Sequence, residues 1–275
     1  MIIFRVDSSE KIGSGHLMRC LALAEELRRF GNKVEFVVRK HKGNLSQKII
    51  QKGFKVYFLN KSEAGENLDL EKYEQWLGVK QNTDADGTIQ LIKDKEIDWL
   101  IVDHYAIDCN WEKAVRPFAK KMMVIDDLAN RKHDCDILLD QNYIKNDRRY
   151  SPLTNLTTIK LLGPKYALLR QEFRKNIQNK RRYGKVKKVF VYFGASDPNN
   201  LIGMTLKVFT DSKLKHLSVD LVIGLFNPHQ SEIEKELIKF PNIKLHVQID
   251  NISNLMLRAD LALGAGGSTT WERMA

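Results

Sequence analysis

The chain has 275 residues, a net charge of +11, 43% hydrophobic residues and three cysteines. Its length suits two ordinary domains, and no apolar run approaches the roughly 20 residues that cross a bilayer, so we expect no membrane insertion. The sequence opens directly as a strand, without a basic and then apolar leader, and its cysteines are sparse. We therefore predict a cytoplasmic protein without disulfides.

Much of the positive charge lies in residues 170–188, where lysines and arginines are not interleaved with aromatic residues. A single-stranded nucleic-acid platform needs such aromatic residues for stacking, so we predict no nucleic-acid partner. A solvated surface is the simplest explanation of this charge. The functional alternative is that the basic segment helps to hold an anionic diphosphate.

Short β-rich runs alternate with amphipathic helical segments through the first part of the chain. The predicted strands are at 2–7, 33–38, 55–59, 98–105, 121–127 and 135–142, and the predicted helices at 17–30, 44–53, 88–95 and 111–120. The polar segment 60–87 is predicted to be an insertion carrying a short helix, and 150–166 to be a loop. The alternation predicts a parallel sheet covered by helices.

A second series of strands and helices comes after the basic segment. Its predicted strands are at 186–194, 218–224, 243–248 and 260–264, and its helices at 199–209, 229–240, 251–259 and from about 269 onward. We predict an α/β domain at 1–168, a basic linker at 169–185 and a second α/β domain at 186–275, both domains being doubly wound and Rossmann-like. The last helical pattern ends with the chain, so we expect the second domain to be truncated.

The loop after the first strand is the first candidate site. Gly13 and Gly15 allow a sharp turn, and His16 comes next at the carboxyl end of a parallel strand, where open α/β sheets bind ligands. A histidine titrates near neutral pH and can take a proton from water; a cap or loop role is the alternative. Arg19 would face either a phosphate or a carboxylate. A dinucleotide fingerprint requires glycine where Met18 stands, so we predict no nicotinamide or flavin cofactor.

Two further strands end in polar residues. Asp103, His104 and Tyr105 end one of them, and in a parallel sheet they would lie near the first loop. Tyr105 could bond a sugar hydroxyl or position a water, and Asp103 could orient a neighbouring base, whereas His104 could equally point into the sheet. Asp126 and Asp127 end another strand and would either bind sugar or a cation, or cap the next loop.

Two pairs of aspartates have the spacing of metal-binding carboxylates. Asp84 and Asp86 lie in the predicted insertion, and Asp134 and Asp136 precede a strand rather than end one. A divalent cation held against a diphosphate needs carboxylates at the mouth of the site. We therefore predict no metal.

A segment rich in glycine and hydroxyl residues joins the last strand to the last helix. Gly266 and Gly267 permit close approach of a ligand, and Ser268 and Thr269 offer hydroxyls beside the free N–H groups of a helix start. Glu272, in the first turn, could accept two hydrogen bonds from the cis-diol of a ribose. The segment is thus a candidate cradle for a nucleotide, and an ordinary helix cap is the alternative.

Together these motifs resemble the UDP-sugar hydrolases of pseudaminic acid biosynthesis. The resemblance rests on the opening FRVDSSEKIGSGHLMRCLALAEEL, on DWLIVDHYAID and on DLALGAGGSTTWERMA, and it covers nearly the whole chain. That family is similar to the inverting glycosyltransferases of the GT-B type. The resemblance implies two Rossmann-like domains in a GT-B-type arrangement, with UDP held mainly by the C-terminal domain and the sugar facing the N-terminal loops.

The resemblance also implies an activity: metal-independent hydrolysis of UDP-2,4-diacetamido-2,4,6-trideoxy-β-L-altropyranose to UDP and the free sugar, with inversion at the anomeric carbon. It implies that His16 and Tyr105 are catalytic and that Glu272 binds the ribose. The family continues beyond the point where this chain ends. Two alternatives stay open, namely a GT-B glycosyltransferase that moves the sugar to a hydroxyl acceptor and a non-catalytic module that binds nucleotide-sugars.

Overall fold

The protein consists of two compact units, Met1–Leu168 and Leu169–Ala275. The structure is a computed structural model that describes residues 1–60, 73–175, 184–195, 197–225, 227–249 and 251–275. Each unit is built on a parallel sheet of its own. The segment predicted to be a linker, 169–185, falls at the start of the second unit, and its residues 176–183 lie outside the described part of the chain.

The first unit contains a seven-stranded sheet whose strand pairs are all parallel. Its strands are β1 (Ile2–Val6), β2 (Val34–Arg39), β3 (Lys55–Leu59), β4 (Trp99–Asp103), β5 (Lys121–Ile125), β6 (Ile137–Asp140) and β7 (Ile159–Leu162). The spatial order is β3-β2-β1-β4-β5-β6-β7, so the winding direction reverses between β1 and β4. Such a reversal opens a crevice at the carboxyl ends of the two strands.

Helices pack on both faces of this sheet. They are α1 (Gly15–Arg29), α2 (Ser46–Gln51), α3 (Glu74–Leu77), α4 (Gln81–Ile92) and α5 (Cys109–Val115). Side chains alternate across a strand, so each strand contributes to two separate cores. Phe4 packs with Leu21 of α1 in one core, whereas Ile3 packs with Trp111 of α5 in the other.

The second unit repeats the same winding on a smaller sheet. Its strands are β8 (Lys188–Tyr192), β9 (Ser218–Ile223), β10 (Ile243–Val247) and β11 (Leu261–Gly264), and its helices are α6 (Gln171–Lys175), α7 (Leu201–Val208), α8 (Gln230–Leu237), α9 (Ile252–Arg258) and α10 (Ser268–Met274). The order β10-β9-β8-β11 matches the order β3-β2-β1-β4 of the first unit. The predicted class of two doubly wound α/β units is therefore confirmed. None of the helices in the described ranges is long and apolar enough to cross a membrane.

The prediction of a polar insertion at 60–87 is wrong in its second part. Helix α4 begins at Gln81 rather than at Thr88, and it includes Asp84. Asp84 is polar but fully buried, so the inward face of the helix does not show an apolar pattern in the sequence. Residues 61–72 of the predicted insertion lie outside the described residues.

Three smaller predictions also change. Strand β7 lies within the predicted loop 150–166, because an edge strand that is only partly buried has a weak apolar pattern. Helix α1 begins at Gly15, so His16 belongs to the helix and not to the loop before it. The helix predicted at 111–120 ends at Val115, where a 3-10 turn containing Pro117 begins.

A network of buried charges links β1 to helix α4. Arg5 donates to Asp7 at 2.7 and 2.8 Å and to Asp84 at 2.7 and 3.1 Å. Asp84 also accepts from Arg39 at 2.6 Å and from the indole N–H of Trp111 at 3.0 Å. Two cations and two anions thus balance one another where water is excluded, and removal of one of them would leave an unpaired buried charge.

We predict that Asp84→Ala lowers the free energy of unfolding by about 3–5 kcal/mol, because it leaves one excess positive charge among Arg5 and Arg39 inside the fold. Urea unfolding followed by circular dichroism measures this change. Asp86→Ala is the matched control, since Asp86 is an exposed aspartate of the same helix. Equal losses in the two variants would contradict the structural role of the network.

Candidate functional site

The carboxyl ends of β1, β4 and β5 lie side by side, because these strands are parallel and adjacent. The chain after β1 enters helix α1, and the reversal of winding between β1 and β4 places this helix beside the end of β4. The structure brings together five side chains at this edge of the sheet, those of His16, Arg19, Asp103, Tyr105 and Asp127. The expected proximity of Asp103 to the first loop is therefore what the structure shows.

Asp103 is the centre of this group. Its side chain is fully buried and accepts from Arg19 Nε at 2.6 Å and from Arg19 Nη2 at 2.7 Å. His16 Nδ1 lies 2.6 Å from Oδ1 of the same carboxylate. Burial alone would raise the pKa of Asp103, but the charges and hydrogen bonds of Arg19 and His16 outweigh burial and hold this pKa well below its usual range. Asp103 is thus an ionised carboxylate at neutral pH.

The contact with Asp103 fixes the orientation of the His16 ring. An ionised carboxylate only accepts, so Nδ1 of His16 carries the proton that lies between the two groups. In the neutral ring Nε2 then keeps its lone pair, and no described residue donates a hydrogen bond to it. His16 and Arg19 lie one turn apart on helix α1, so both side chains reach Asp103 from the same turn of the helix. This arrangement has the geometry that a general base requires.

Arg19 and Tyr105 both reach Asp127. Arg19 Nη1 donates to Asp127 at 3.1 Å, and the Tyr105 hydroxyl donates to it at 2.5 Å. Of the two roles predicted for Arg19, the structure shows the one with carboxylates. Burial, and then the negative charge of Asp127, raises the pKa of Tyr105 far above its usual value, so the phenol stays protonated. Its ring lies against His16, with centroids 4.4 Å apart.

Asp126 and His104, for which the sequence left two roles open, both contact other groups of the protein. Asp126 is fully buried and accepts from Arg131 and from the Tyr150 hydroxyl, at 2.6 and 3.1 Å. His104 points to the opposite face of the sheet from Asp103, where its Nε2 lies 3.4 Å from Asp7. Burial lowers the pKa of His104. Both side chains are buried.

Two aromatic residues of the site were missed by sequence reasoning. Tyr73 and Trp76 belong to the turn and short helix α3, in the segment predicted to be an insertion. The Trp76 ring stacks on Tyr105 at 5.6 Å and meets His16 edge to face at 6.3 Å, and the Tyr73 ring lies 5.4 Å from Tyr105. The sequence offered only a weak signal, a tyrosine and a tryptophan three residues apart in a polar stretch.

The glycines of the first loop lie at the entrance to helix α1. Gly13 has φ of +78°, and its N–H donates to the carbonyl of Ser9 at 2.8 Å, which closes a tight turn. Gly15 is the first residue of α1. A Cβ at Gly13 would meet no described atom within 4 Å, so the backbone there faces open space.

In the second unit, the predicted nucleotide cradle comes directly after the end of β11. Gly267 precedes α10 with φ of +125°, a backbone conformation that favours glycine, and α10 begins at Ser268 and Thr269. A Cβ on Gly266 or Gly267 would meet no described atom within 4 Å. Strand β11 pairs with β8 at the reversal of winding in this sheet, which is where Rossmann-like units bind ligands.

Glu272 has a partner that the sequence did not predict. Arg170 donates from Nε and Nη2 to the two carboxylate oxygens of Glu272, at 2.7 and 3.0 Å. This bidentate contact holds the carboxylate in one orientation. Each carboxylate oxygen keeps a further lone pair that can accept a hydrogen bond.

The paired aspartates considered for metal binding serve other roles. Asp84 belongs to the buried network, and Asp134 and Asp136 accept from Arg116 at 2.9 and 3.2 Å. In the part of the chain that the structure describes, no group of three or more His, Cys, Asp or Glu side chains could hold a metal ion.

Comparisons with known proteins agree with the resemblance. No family model matches the chain. An uncharacterized protein of Methanocaldococcus jannaschii is 29% identical over 98% of this chain, which spans 52% of that protein's length. The UDP-2,4-diacetamido-2,4,6-trideoxy-beta-L-altropyranose hydrolase of Campylobacter jejuni is 28% identical over 99% of this chain and 87% of its own length. The resemblance to this hydrolase family is therefore confirmed.

The fold is also found in solved structures of glycosyltransferases. The glycotransferase of kitacinnamycin matches 99% of this chain and 76% of its own, with a TM-score of 0.61 and 15% sequence identity. A sequence identity this low supports only a shared fold. The fold is like that of the GT-B glycosyltransferases, as the resemblance to the hydrolase family implied.

Arg19→Met tests the electrostatics of the site. In the native protein the pKa of Asp103 is depressed below that of an unfolded aspartate, about 3.9, so its contribution to stability is complete above about pH 4 and is lost at lower pH. In the variant burial raises this pKa instead, and the carboxyl group binds a proton on folding. We expect the variant to be less stable by about 3–5 kcal/mol at pH 7 and the difference to narrow as the pH falls toward 4.

Urea unfolding at several pH values measures this effect. Arg29→Met is the matched control, because Arg29 lies on the same helix in an exposed pair with Glu26. We expect the control to change stability by less than about 1 kcal/mol at every pH. A loss in Arg19→Met that does not depend on pH would show that Arg19 does not neutralise Asp103.

Proposed function

We propose that the chain is a UDP-sugar hydrolase in which His16 activates the attacking water. The support for this proposal is the ring of His16, held by Asp103 through Nδ1 with Nε2 left without a described donor. The water oxygen would attack the anomeric carbon while the bond from that carbon to the UDP oxygen breaks. UDP would leave with the bonding electron pair, and the water proton would pass to Nε2 of His16.

The neighbours of His16 have distinct roles in this proposal. Asp103 stabilises the imidazolium that forms when His16 takes the proton, and Arg19 keeps Asp103 in place as a positioning residue. The Tyr105 hydroxyl donates a hydrogen bond to Asp127, so its oxygen would accept a hydrogen bond from the attacking water. Attack on the face opposite to UDP gives inversion at the anomeric carbon.

UDP binding is assigned to the second unit in this proposal. The N–H groups and hydroxyls at Gly266, Gly267, Ser268 and Thr269 would bind the diphosphate, whose charge grows as the sugar bond breaks. Glu272, oriented by Arg170, would accept hydrogen bonds from the ribose hydroxyls. In the first unit, Gly13 and Gly15 would let a ligand approach the start of α1 closely.

The sugar is proposed from the Campylobacter jejuni relative, whose name specifies a diacetamido-trideoxy-altropyranose. A place in pseudaminic acid biosynthesis, the absence of a metal requirement and the activity of the whole protein are proposed on the same ground. Transfer of the sugar to a hydroxyl acceptor is the competing reaction, since the fold is shared with glycosyltransferases.

We predict that His16→Ala lowers the rate of UDP release by about 10²–10⁴-fold, which is the usual value of general-base assistance. The UDP affinity measured by calorimetry should stay nearly unchanged, because His16 lies outside the proposed UDP contacts. His216→Ala is the control, since His216 is an exposed histidine far along the chain, in the second unit. Turnover of His16→Ala at the native rate would show that His16 is not the base.

Isotope labelling tests which bond breaks. With the UDP-sugar in ¹⁸O-water and no acceptor present, we expect UDP and free sugar, with the label on the sugar and not on the phosphate. Label on the phosphate would mean attack at phosphorus and would contradict the proposed mechanism. UDP release that requires an added acceptor would identify a transferase.

A further inference from the structure

Helix α3 and the residue before it bring two aromatic side chains, Trp76 and Tyr73, to the site, and the proposed mechanism does not use them. The Trp76 ring stacks on Tyr105 at 5.6 Å with an angle of 24°, and Tyr73 contacts both rings edge to face, at 5.1 Å and 5.4 Å. Trp76 also meets His16 edge to face at 6.3 Å. The rings of Trp76 and Tyr105 thus contact His16, and the ring of Tyr73 packs on both of them.

The position of α3 is constrained at its end. Gly78 caps the helix with φ of +73°, which favours glycine, and a Cβ there would lie 3.1 Å from Cε1 of His41. His41 in turn lies 3.4 Å from Asp7, a member of the buried charge network. Helix α3, which carries Trp76 two residues before Gly78, therefore ends close to His41.

Trp76 and Tyr73 are half-buried, not fully buried. Residues that serve only the apolar core pack with the buried clusters, and neither of these two side chains belongs to either cluster of the first unit. Their ring contacts are instead with one another and with His16 and Tyr105. Sites that bind small molecules are commonly lined by aromatic side chains together with a few polar groups.

We propose that Trp76 and Tyr73 form with Tyr105 an aromatic wall that positions the sugar ring of the substrate beside His16. This proposal rests on the proposed function of the same site. A pyranose presents C–H groups on one face, and an aromatic ring covers such a face without demanding hydrogen bonds. A sugar with few hydroxyls, such as a deoxysugar, suits the wall because it buries fewer polar groups against the rings.

The wall also suits the charge that develops during the reaction. The anomeric carbon and ring oxygen gain positive charge as the bond to UDP breaks. The faces of aromatic rings carry negative potential and attract cations. Trp76 would therefore favour the transition state over the bound substrate, as well as hold the sugar in place.

Fluorescence reports the contact without requiring turnover. In a His16→Asn background, we expect UDP-2,4-diacetamido-2,4,6-trideoxy-β-L-altropyranose to change tryptophan emission beyond the change caused by UDP alone. The additional change should disappear in His16→Asn/Trp76→Phe. It should persist in His16→Asn/Trp99→Phe, because Trp99 begins β4 and lies at the opposite end of that strand from Asp103.

Kinetics provide the second readout. We expect Trp76→Ala to lower kcat/KM for this UDP-sugar by about tenfold or more, and Trp76→Phe, which keeps an aromatic face, to restore most of it. The affinity for UDP should be the same in both variants. If Trp76 had only a structural role, Trp76→Ala would lower stability, and kcat/KM for the UDP-sugar would not fall separately from the affinity for UDP.

The outcomes separate this inference from the proposed function. If the native protein hydrolyses the UDP-sugar but Trp76→Ala does so equally well, the wall is wrong and the function stands. If the native protein does not hydrolyse the UDP-sugar, the proposed function is wrong, and the fluorescence experiment alone then tests the aromatic wall. An emission change that survives Trp76→Phe, or none beyond that of UDP, overturns the wall.

Discussion

The site depends on one buried carboxylate. Asp103 ends β4 at the reversal of winding, and its charge is stable there only because Arg19 pairs with it through two hydrogen bonds. The same carboxylate holds Nδ1 of His16. Because α1 carries both partners one turn apart, the helix that neutralises Asp103 also delivers the imidazole. One carboxylate therefore both pairs with Arg19 and orients the ring of His16.

The alternation of side chains along β4 explains how a charged site and a charged core coexist. Asp103 faces α1, whereas His104, the next residue, faces the network around Asp7 and Asp84. The same alternation runs through β1, where Phe4 belongs to the core beneath α1 and Arg5 faces α4. The sheet thus separates the charges that fix the fold from the charges that orient the base.

The periodicity of the sequence predicts where most strands and helices lie along the chain. The geometry of a parallel sheet predicts that Asp103 lies near the first loop. Periodicity could not decide between a phosphate and a carboxylate for Arg19, because that choice depends on which charges the fold brings together. The start of α4 was missed because Asp84 is charged and buried, which reverses the usual pattern. Tyr73 and Trp76 were missed because their contacts are tertiary and leave no period in the chain.

The contacts described for the proposed base are with residues of the first unit. The bonds of His16 to Asp103, of Tyr105 to Asp127 and of Arg19 to both carboxylates join side chains of the protein itself. Fixed dipoles and charges of this kind need little rearrangement when charge develops in a reaction, which is the main source of electrostatic catalysis. Since the pKa of Asp103 is depressed and that of Tyr105 raised, the two groups keep opposite protonation states over a wide pH range. In the proposed reaction, proton exchange with the attacking water therefore falls to the imidazole of His16, a side chain that is suited by its chemistry to act as both acceptor and donor.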